Sequence, residues 1–159
     1  MACETRRAPG RSGLPLRGCC LSATEIAADA LRPPGEAATV IYVCTTCRHS
    51  GDPDDAPRRG AVLARATIEA AVGSNIAVRP LRCLANCSRG CSAAIRHAGA
   101  WTYIFGYLDP AMGAEALVQG AQLLSRAADG LMPWRGRPEP LKRGLIARVP
   151  PFEFQEIAE

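Results

Sequence analysis

The sequence has few aromatic residues, little net charge and no long apolar run, and each shortage excludes a class of function. Aromatic residues make up 5% of the 159 residues, and the formal net charge is +4. Proteins that bind nucleic acids usually combine a concentrated basic surface with aromatic rings, so we expect no nucleic-acid partner. Because no apolar stretch approaches the ~20 residues that cross a bilayer, we also expect no membrane partner.

Motifs of the common enzyme classes are missing as well. The sequence contains no phosphate-binding glycine loop, no Ser/His/Asp constellation and no paired-carboxylate motif. Asp52, Asp54 and Asp55 lack the ordered spacing of a calcium-binding loop. The two histidines, His49 in a predicted loop and His97 at a predicted strand end, are expected to have structural or surface roles rather than to bind a metal.

Cysteine, by contrast, is abundant and clustered. The chain has eight cysteines, of which Cys44 and Cys47 form one group, and Cys83, Cys87 and Cys91 recur at every fourth position in another. Packing alone would scatter cysteines, whereas thiolates are strong, soft metal ligands, so the grouping predicts a metal or redox site. The N-terminus lacks the apolar segment of a secretory signal, so we expect a cytoplasmic location, where paired cysteines are more often ligands or catalysts than disulfides.

The chain divides into three parts by composition. Residues 1–38 are rich in Arg, Pro and Gly and are expected to form a loosely ordered extension. Its cysteines, Cys3, Cys19 and Cys20, are expected to be incidental, since adjacent cysteines cannot easily face one metal. Residues 39–131 show regular patterns and are predicted to form the main domain. Residues 132–159 mix Pro, Arg and apolar residues without a period, which predicts an irregular tail packed on that domain.

The main domain is predicted to be a two-layer α/β domain. Alternation and β-branched residues predict strands at residues 39–43, 75–82, 92–97 and 101–107, and helical spacing predicts helices at 61–71 and 114–128. A helix joins the first two strands, which are therefore expected to be parallel, whereas the last two form a hairpin. We thus expect a mixed sheet of about four strands with two main helices, with Trp101 and Tyr103 in the core.

In this arrangement both cysteine groups follow strand ends, in loops that can meet at one edge of the sheet. Four thiolates can hold zinc, a two-iron two-sulfur cluster or a larger iron–sulfur cluster. Structural zinc sites usually have two tight cysteine pairs, and the second group lacks one. A thiol–disulfide oxidoreductase using Cys44 and Cys47 is a further hypothesis, although such a pair normally begins a helix, and a Gly/Pro/Asp-rich loop intervenes here.

The segment Cys83-Leu-Ala-Asn-Cys87-Ser-Arg-Gly is followed by a short strand, a glycine turn, an aromatic strand and a closing helix. This order resembles the thioredoxin-like two-iron two-sulfur ferredoxins over residues 39–129. In that family a cysteine ends the first strand, as Cys44 does. Three further features resemble a little-characterised bacterial family of predicted metal-binding, ferredoxin-like proteins. They are the close neighbour Cys47, the presence of Cys91 where the ferredoxins commonly have proline, and the ending at 140–151.

The resemblance implies a thioredoxin-like fold and a [2Fe-2S] cluster held by Cys44, Cys47, Cys83 and Cys87. Cys91 is then an alternative metal ligand, a redox partner of the other thiols or a packed side chain. The implied function is one-electron transfer to an unidentified partner protein, and a homodimer is also implied. Relatives are often encoded near cobalamin-related genes, which implies a link to cobalamin or metal metabolism. The alternative is a zinc-binding structural module or metal carrier without redox chemistry.

We therefore expect an electron carrier or metal-binding protein rather than a catalyst. Several arginines adjoin the cysteines in sequence or end the loop between the groups, and positive charge there would favour a reduced cluster and steer an acidic partner. The competing interpretation is that they are solvated surface charges. These arginines are Arg48, Arg58, Arg59, Arg82 and Arg89.

Overall fold

The computed structural model describes residues 38–48 and 51–154. Most of the predicted extension, with Cys3, Cys19 and Cys20, lies outside the described residues, as does His49. Strands and helices alternate in the first half of the described chain, and a hairpin and two helices follow. The elements are β1 (Thr39–Cys44), α1 (Arg59–Ala70), β2 (Ile76–Leu81), a short 3-10 helix (Cys87–Arg89), β3 (Ala93–His97), β4 (Thr102–Phe105), α2 (Pro110–Ser125), α3 (Glu139–Arg143) and β5 (Leu145–Val149).

The strands form one mixed sheet in the order β2-β1-β3-β4-β5. Strand β1 is parallel to β2 and antiparallel to β3, and the pairs β3–β4 and β4–β5 are antiparallel. β1 is rich in β-branched residues and has partners on both sides, which suits a strand whose Ile41 and Val43 are fully buried. A parallel pair joined by a helix and followed by an antiparallel hairpin is the thioredoxin-like arrangement, so the predicted fold class is confirmed.

Helices α1 and α2 pack together beside the sheet and complete the second layer. Leu63 of α1 is fully buried, and its Cδ1 atom would lie 3.2 Å from a Cβ atom added to Gly113 of α2. Farther along α2, a Cβ at Gly120 would lie 3.3 Å from Cδ1 of Ile95 in β3. Small residues thus let α2 approach both its neighbouring helix and the sheet. Helix α2 begins at the predicted start signal, where Asp109 accepts a hydrogen bond from the Ala111 amide at 2.8 Å.

The prediction of an irregular tail is wrong for residues 139–149, which contain α3 and β5. Because β5 pairs with β4, the sheet has five strands rather than about four. Helix α3 has only five residues, too few to show a helical period. β5 is an edge strand whose last three residues are exposed, so it lacks the alternation that would have revealed it.

The core prediction holds for one of the two named aromatic residues. Tyr103 is buried at 1% exposure, and its ring is stacked at 6.2 Å from that of Phe105. Trp101 is half-buried and makes an edge contact with Phe154, with 5.2 Å between ring centroids. Within residues 38–48 and 51–154, none of the helices has the length and apolar character needed to span a bilayer.

Candidate metal centre

The first cysteine pair lies where strand β1 meets the start of helix α1. Cys44 is the last residue of β1, and the Gly60 amide in the first turn of α1 donates a hydrogen bond to the Cys47 carbonyl at 3.1 Å. A Cβ atom at position 60 would lie 2.1 Å from the Cys44 carbonyl oxygen. The helix therefore begins directly against the pair, although a loop separates them in sequence.

The loop that carries the second cysteine group reaches the same edge of the sheet. The Thr45 amide donates to the Leu81 carbonyl at 2.8 Å, and the Cys44 amide donates to the Ser92 carbonyl at 3.0 Å. The Cys44 Sγ atom lies 3.6 Å from the Arg82 carbonyl oxygen, to which the Thr46 hydroxyl also donates a hydrogen bond. The structure thus brings the backbones of the two cysteine-bearing loops together.

Three of the five clustered thiols are buried in the same hydrophobic core. Cys44, Cys47 and Cys91 are 2%, 3% and 0% exposed, and Cys91 interacts electrostatically with both other thiols. A Cβ atom at Gly90 would lie 3.3 Å from the Cys47 Sγ atom, which places the residue before Cys91 against Cys47. Cys91 therefore belongs with the first cysteine pair in space, although it belongs with Cys83 and Cys87 in sequence.

Cys83 and Cys87 are exposed in the loop. The Cys83 Sγ atom accepts a hydrogen bond from the Ala85 amide at 3.1 Å, and Ala85 takes a left-handed conformation with φ 54°. Cys87 begins the short 3-10 helix. All five clustered cysteines are free thiols. In the part of the chain that the structure describes, no three His, Cys, Asp or Glu side chains are gathered so as to hold a metal ion.

The buried thiols differ in acidity. Burial would raise the pKa of Cys44, but hydrogen bonds with the Thr46 side chain and with the backbone of Leu84 and Thr46 outweigh it and lower the pKa. Burial and the neighbouring Cys44 raise the pKa of Cys47 to about 11. Burial, followed by the charge of Cys47, raises the pKa of Cys91 to about 12. A bound cation would be required to hold all three as thiolates at neutral pH.

The donor set fits a metal or iron–sulfur cluster by its chemistry. Sulfur is the preferred donor for both, and thiols from two loops lie along one edge of the sheet. The Ala85 N–H group already faces the sulfur of Cys83, and Leu84 supplies a backbone hydrogen bond to Cys44. Such donors stabilise metal-bound thiolates and adjust the reduction potential.

The arginines near the cysteines fall into two groups. Arg48 forms an ion pair with Asp54, and Arg59 forms one with Asp52 at 3.2 Å, so loop carboxylates partly offset these two charges. The side chains of Arg58, Arg82 and Arg89 are exposed. These three exposed arginines therefore add positive charge near this edge, and Arg59 also lowers the pKa of Cys91 against the effect of burial.

Sequence reasoning missed the polar residues that brace the cysteine loops. The Asn86 side-chain amide donates to the buried Ser92 hydroxyl at 2.9 Å, and Ser92 provides hydrogen bonds that lower the pKa of Cys47 against the effect of burial. Thr46 does the same for Cys44. Each of the three residues adjoins a cysteine in sequence, and this adjacency is the signal that would have identified them.

The comparisons with known proteins identify a family. The profile of the family described as "Protein of unknown function (DUF1636)" matches residues 41–151. The chain belongs to this family. The sequence-based resemblance to a little-characterised family is thereby confirmed. No curated protein matches this DUF1636 member.

Solved structures similar to this DUF1636 member include thioredoxin-like [2Fe-2S] ferredoxins from Aquifex aeolicus. The wild-type ferredoxin is 17% identical, with a TM-score of 0.44, and the match covers 69% of this chain and 96% of that chain. A second ferredoxin structure is also 17% identical, with a TM-score of 0.43, and the match covers 74% of this chain and 97% of that one.

Proposed function

We propose that this protein binds a [2Fe-2S] cluster through cysteine thiolates from two loops and acts as a one-electron carrier. The convergence of these loops supports the proposal, above all the 3.6 Å approach of the Cys44 Sγ atom to the carbonyl oxygen of Arg82, the residue before Cys83. A two-iron cluster takes four thiolates. The proposed ligands are Cys44, Cys47, Cys83 and Cys87, so that each loop supplies a pair.

The chain's own residues hold the first pair in place and tune the sulfur atoms. Strand β1 fixes the backbone of Cys44 between β2 and β3, and Gly60 holds the Cys47 carbonyl. The Ala85 amide donates to the Cys83 sulfur and would stabilise extra negative charge there. When bound, the cluster supplies the reversible one-electron change. Hydrogen bonds to sulfur favour the reduced state of such clusters.

Cys91 offers a second set of ligands. It is fully buried and close to Cys47, whereas Cys83 and Cys87 are exposed. A cluster held by Cys44, Cys47 and Cys91 with one thiol of the exposed loop is therefore the main variant of the proposal. Single-cysteine variants distinguish the two sets.

The proposed partner is a redox protein with an acidic surface. Arg58, Arg82 and Arg89 are exposed in the segments that meet at the cysteine edge. Positive charge beside a cluster attracts a negatively charged partner and accelerates their association. The electron-transfer rate should then fall steeply with salt. A rate that stays constant as salt is raised would contradict this part of the proposal.

The decisive experiment is analysis of anaerobically purified protein. We expect about two irons and two acid-labile sulfides per chain, with an electron paramagnetic resonance signal after reduction. Cys44→Ser, Cys47→Ser, Cys83→Ser and Cys87→Ser should each lose most of the cluster, and Cys3→Ser is the matched control that should retain it. A colourless protein with zinc and no sulfide would replace the proposal with a zinc-binding module or metal carrier.

Thiol–disulfide exchange is a second candidate, because α1 begins against the Cys44–Cys47 pair and the pKa of Cys44 is lowered. A lowered thiol pKa beside a helix start is typical of such enzymes. The test is insulin reduction by metal-free protein. Activity that is lost in Cys44→Ser but retained in Cys83→Ser would favour this candidate over the carrier.

A further inference from the structure

A second site lies away from the five clustered cysteines, none of which lines it. It is a cavity of about 500 Å³ between strands β4 and β5 and the segment that follows helix α2. Most of its wall is apolar, and known small-molecule sites are typically apolar cavities of about this size. The wall includes Tyr103, Leu131, Pro133, Trp134, Arg137 and Leu145.

Arg137 is the unusual feature of this cavity, because its side chain is charged and only 6% exposed. Its guanidinium carbon lies 5.4 Å from the Tyr103 ring centroid and 5.3 Å from that of Trp134, and Nη2 donates to the Met132 carbonyl. Its buried Nε has no hydrogen-bond partner among the described residues, and none of their carboxylates pairs with it. Burying a charge without an ionic partner costs free energy, and a bound anion would offset that cost for Arg137.

A second guanidinium group faces the same space. Arg148 of β5 lines the cavity and is itself exposed. Its guanidinium carbon lies 4.8 Å from the Trp101 ring centroid. Burial lowers the pKa of Arg137; Tyr103 opposes this effect, and the charge of Arg148 adds to it. Among the described residues, the one carboxylate in the lining belongs to Asp129, whose Oδ1 accepts a hydrogen bond from the Leu131 amide at 3.0 Å. In the part of the chain that the structure describes, two guanidinium groups therefore line this space with one carboxylate, which forms an ion pair with neither of them.

We propose that this cavity binds a small organic acid. Its oxyanion group pairs with Arg137 and Arg148, because planar guanidinium groups bind carboxylate and phosphate oxygens in a two-pronged manner. Its apolar part lies against Leu131, Pro133 and Leu145, which supply the apolar wall. Carboxylates and phosphate esters share the chemistry that the two arginines recognise.

The test uses three small probes of similar shape: benzoate, phenyl phosphate and the uncharged benzamide. The chain has two tryptophans, of which Trp134 lines the cavity, so its indole N–H signal in ¹⁵N-labelled protein reports binding there, and Trp101→Phe assigns the two signals. We expect benzoate or phenyl phosphate to shift the Trp134 signal in a saturable way, and benzamide to leave it unchanged. Whichever anion binds more tightly identifies the acid group.

Arginine variants separate binding from structural support. Arg148→Gln should weaken binding at least about tenfold, a typical effect of losing one charged contact. Arg135→Gln removes the same charge from a neighbouring exposed residue outside the lining and should leave the affinity unchanged. Arg137→Lys keeps the charge but loses the planar fork, and we expect a similar loss of affinity.

Three results would overturn the proposal. They are a Trp134 signal that does not respond to either anion at about 10 mM, an equal response to benzamide, and wild-type affinity in Arg148→Gln. Should Arg137→Lys fail to fold, the comparison of Arg148→Gln with Arg135→Gln still decides, because both side chains are exposed.

Discussion

Gly60 lies so close to Cys44 that a Cβ atom at position 60 would stand 2.1 Å from the Cys44 carbonyl oxygen. The same added atom would lie 3.0 Å from the Cys47 amide nitrogen. Backbone atoms on both sides leave no flexible group that could move aside. Only glycine therefore lets the first turn of α1 pack against the end of β1 and support both cysteines.

Replacing Gly60 by alanine should destabilise the protein strongly. We expect Gly60→Ala to lower the free energy of unfolding by about 3 kcal/mol or more, since backbone must shift to admit the methyl group. Urea unfolding of the metal-free protein measures this. Gly113→Ala is the matched control, because its Cβ would lie 3.2 Å from the movable Cδ1 atom of Leu63 and 3.3 Å from the Leu108 Cβ atom, with no backbone atom outside its own helix closer than 3.9 Å. A loss below about 1.5 kcal/mol is expected. Equal losses of unfolding free energy in the two variants would contradict the prediction that a Cβ atom at position 60 clashes with backbone.

The hydroxyl of Tyr103 should contribute to stability through one buried hydrogen bond. It accepts from the Met132 amide at 2.8 Å and so ties the segment after α2 to strand β4. Tyr103→Phe leaves that buried N–H unpaired, and we expect a loss of about 1–3 kcal/mol in the free energy of unfolding. Tyr107→Phe removes the same atom from a residue that is 65% exposed and should change stability by less than about 0.5 kcal/mol. A Tyr103→Phe variant as stable as wild type would exclude this role.

Thiol alkylation should divide the clustered cysteines by their burial. In metal-free native protein, iodoacetamide is expected to modify the exposed Cys83 and Cys87 at least about tenfold faster than Cys47 and Cys91. The slower pair is buried, and burial raises the pKa of both thiols. Peptide mass spectrometry gives the rate at each site, and alkylation in denaturant is the control in which the difference should vanish. Rapid native modification of Cys91 would show that its surroundings open readily.

Alkaline pH should weaken the metal-free fold through Cys91. Its pKa is raised from 9.0 in the unfolded chain to about 12, so the folded chain holds more protons above pH 9 and its stability falls there. The stability that the protonated Cys91 thiol contributes is fully present below about pH 9 and is lost as the pH approaches 12. Cys91→Ala should make the alkaline decline shallower by up to about 1.4 kcal/mol per pH unit.

Urea unfolding at a series of pH values up to about 11 checks this dependence. A constant difference in the free energy of unfolding between Cys91→Ala and wild type at neutral pH reports lost packing. Only a difference in how steeply that free energy falls with pH reports ionisation of the thiol. Parallel curves above pH 9 would contradict the role of Cys91.

Much of the fold could be predicted from local patterns in the sequence. Strand β1 is a continuous β-branched run, and helix α2 starts at an Asp-Pro signal, so both were found close to their observed bounds, Thr39–Cys44 and Pro110–Ser125. Strand β5 was missed, because Leu145–Val149 gains its partner only when the chain folds back on β4. Local sequence patterns do not indicate pairing between strands that are far apart in the sequence.

The site was predictable only in outline. Strand ends indicated that the loops of Cys44 and Cys83 would share an edge, and the structure brings those loops together. The position of Cys91 beside Cys47 depends on how the chain turns after the 3-10 helix, which its spacing from Cys87 does not encode. The buried Arg137 also escaped prediction, since arginine in a segment without a period is normally exposed.

Among the residues that the structure describes, β2 is an edge strand of the five-stranded sheet, and Pro80 affects whether another strand can pair with it. The Leu81 carbonyl faces β1, where it accepts from Thr45, so the backbone of the preceding Pro80 faces outward. Proline has no N–H to offer an incoming strand. Extension of the sheet by another chain, the first step of amyloid-like stacking, therefore meets a gap in the hydrogen-bonding ladder at this position.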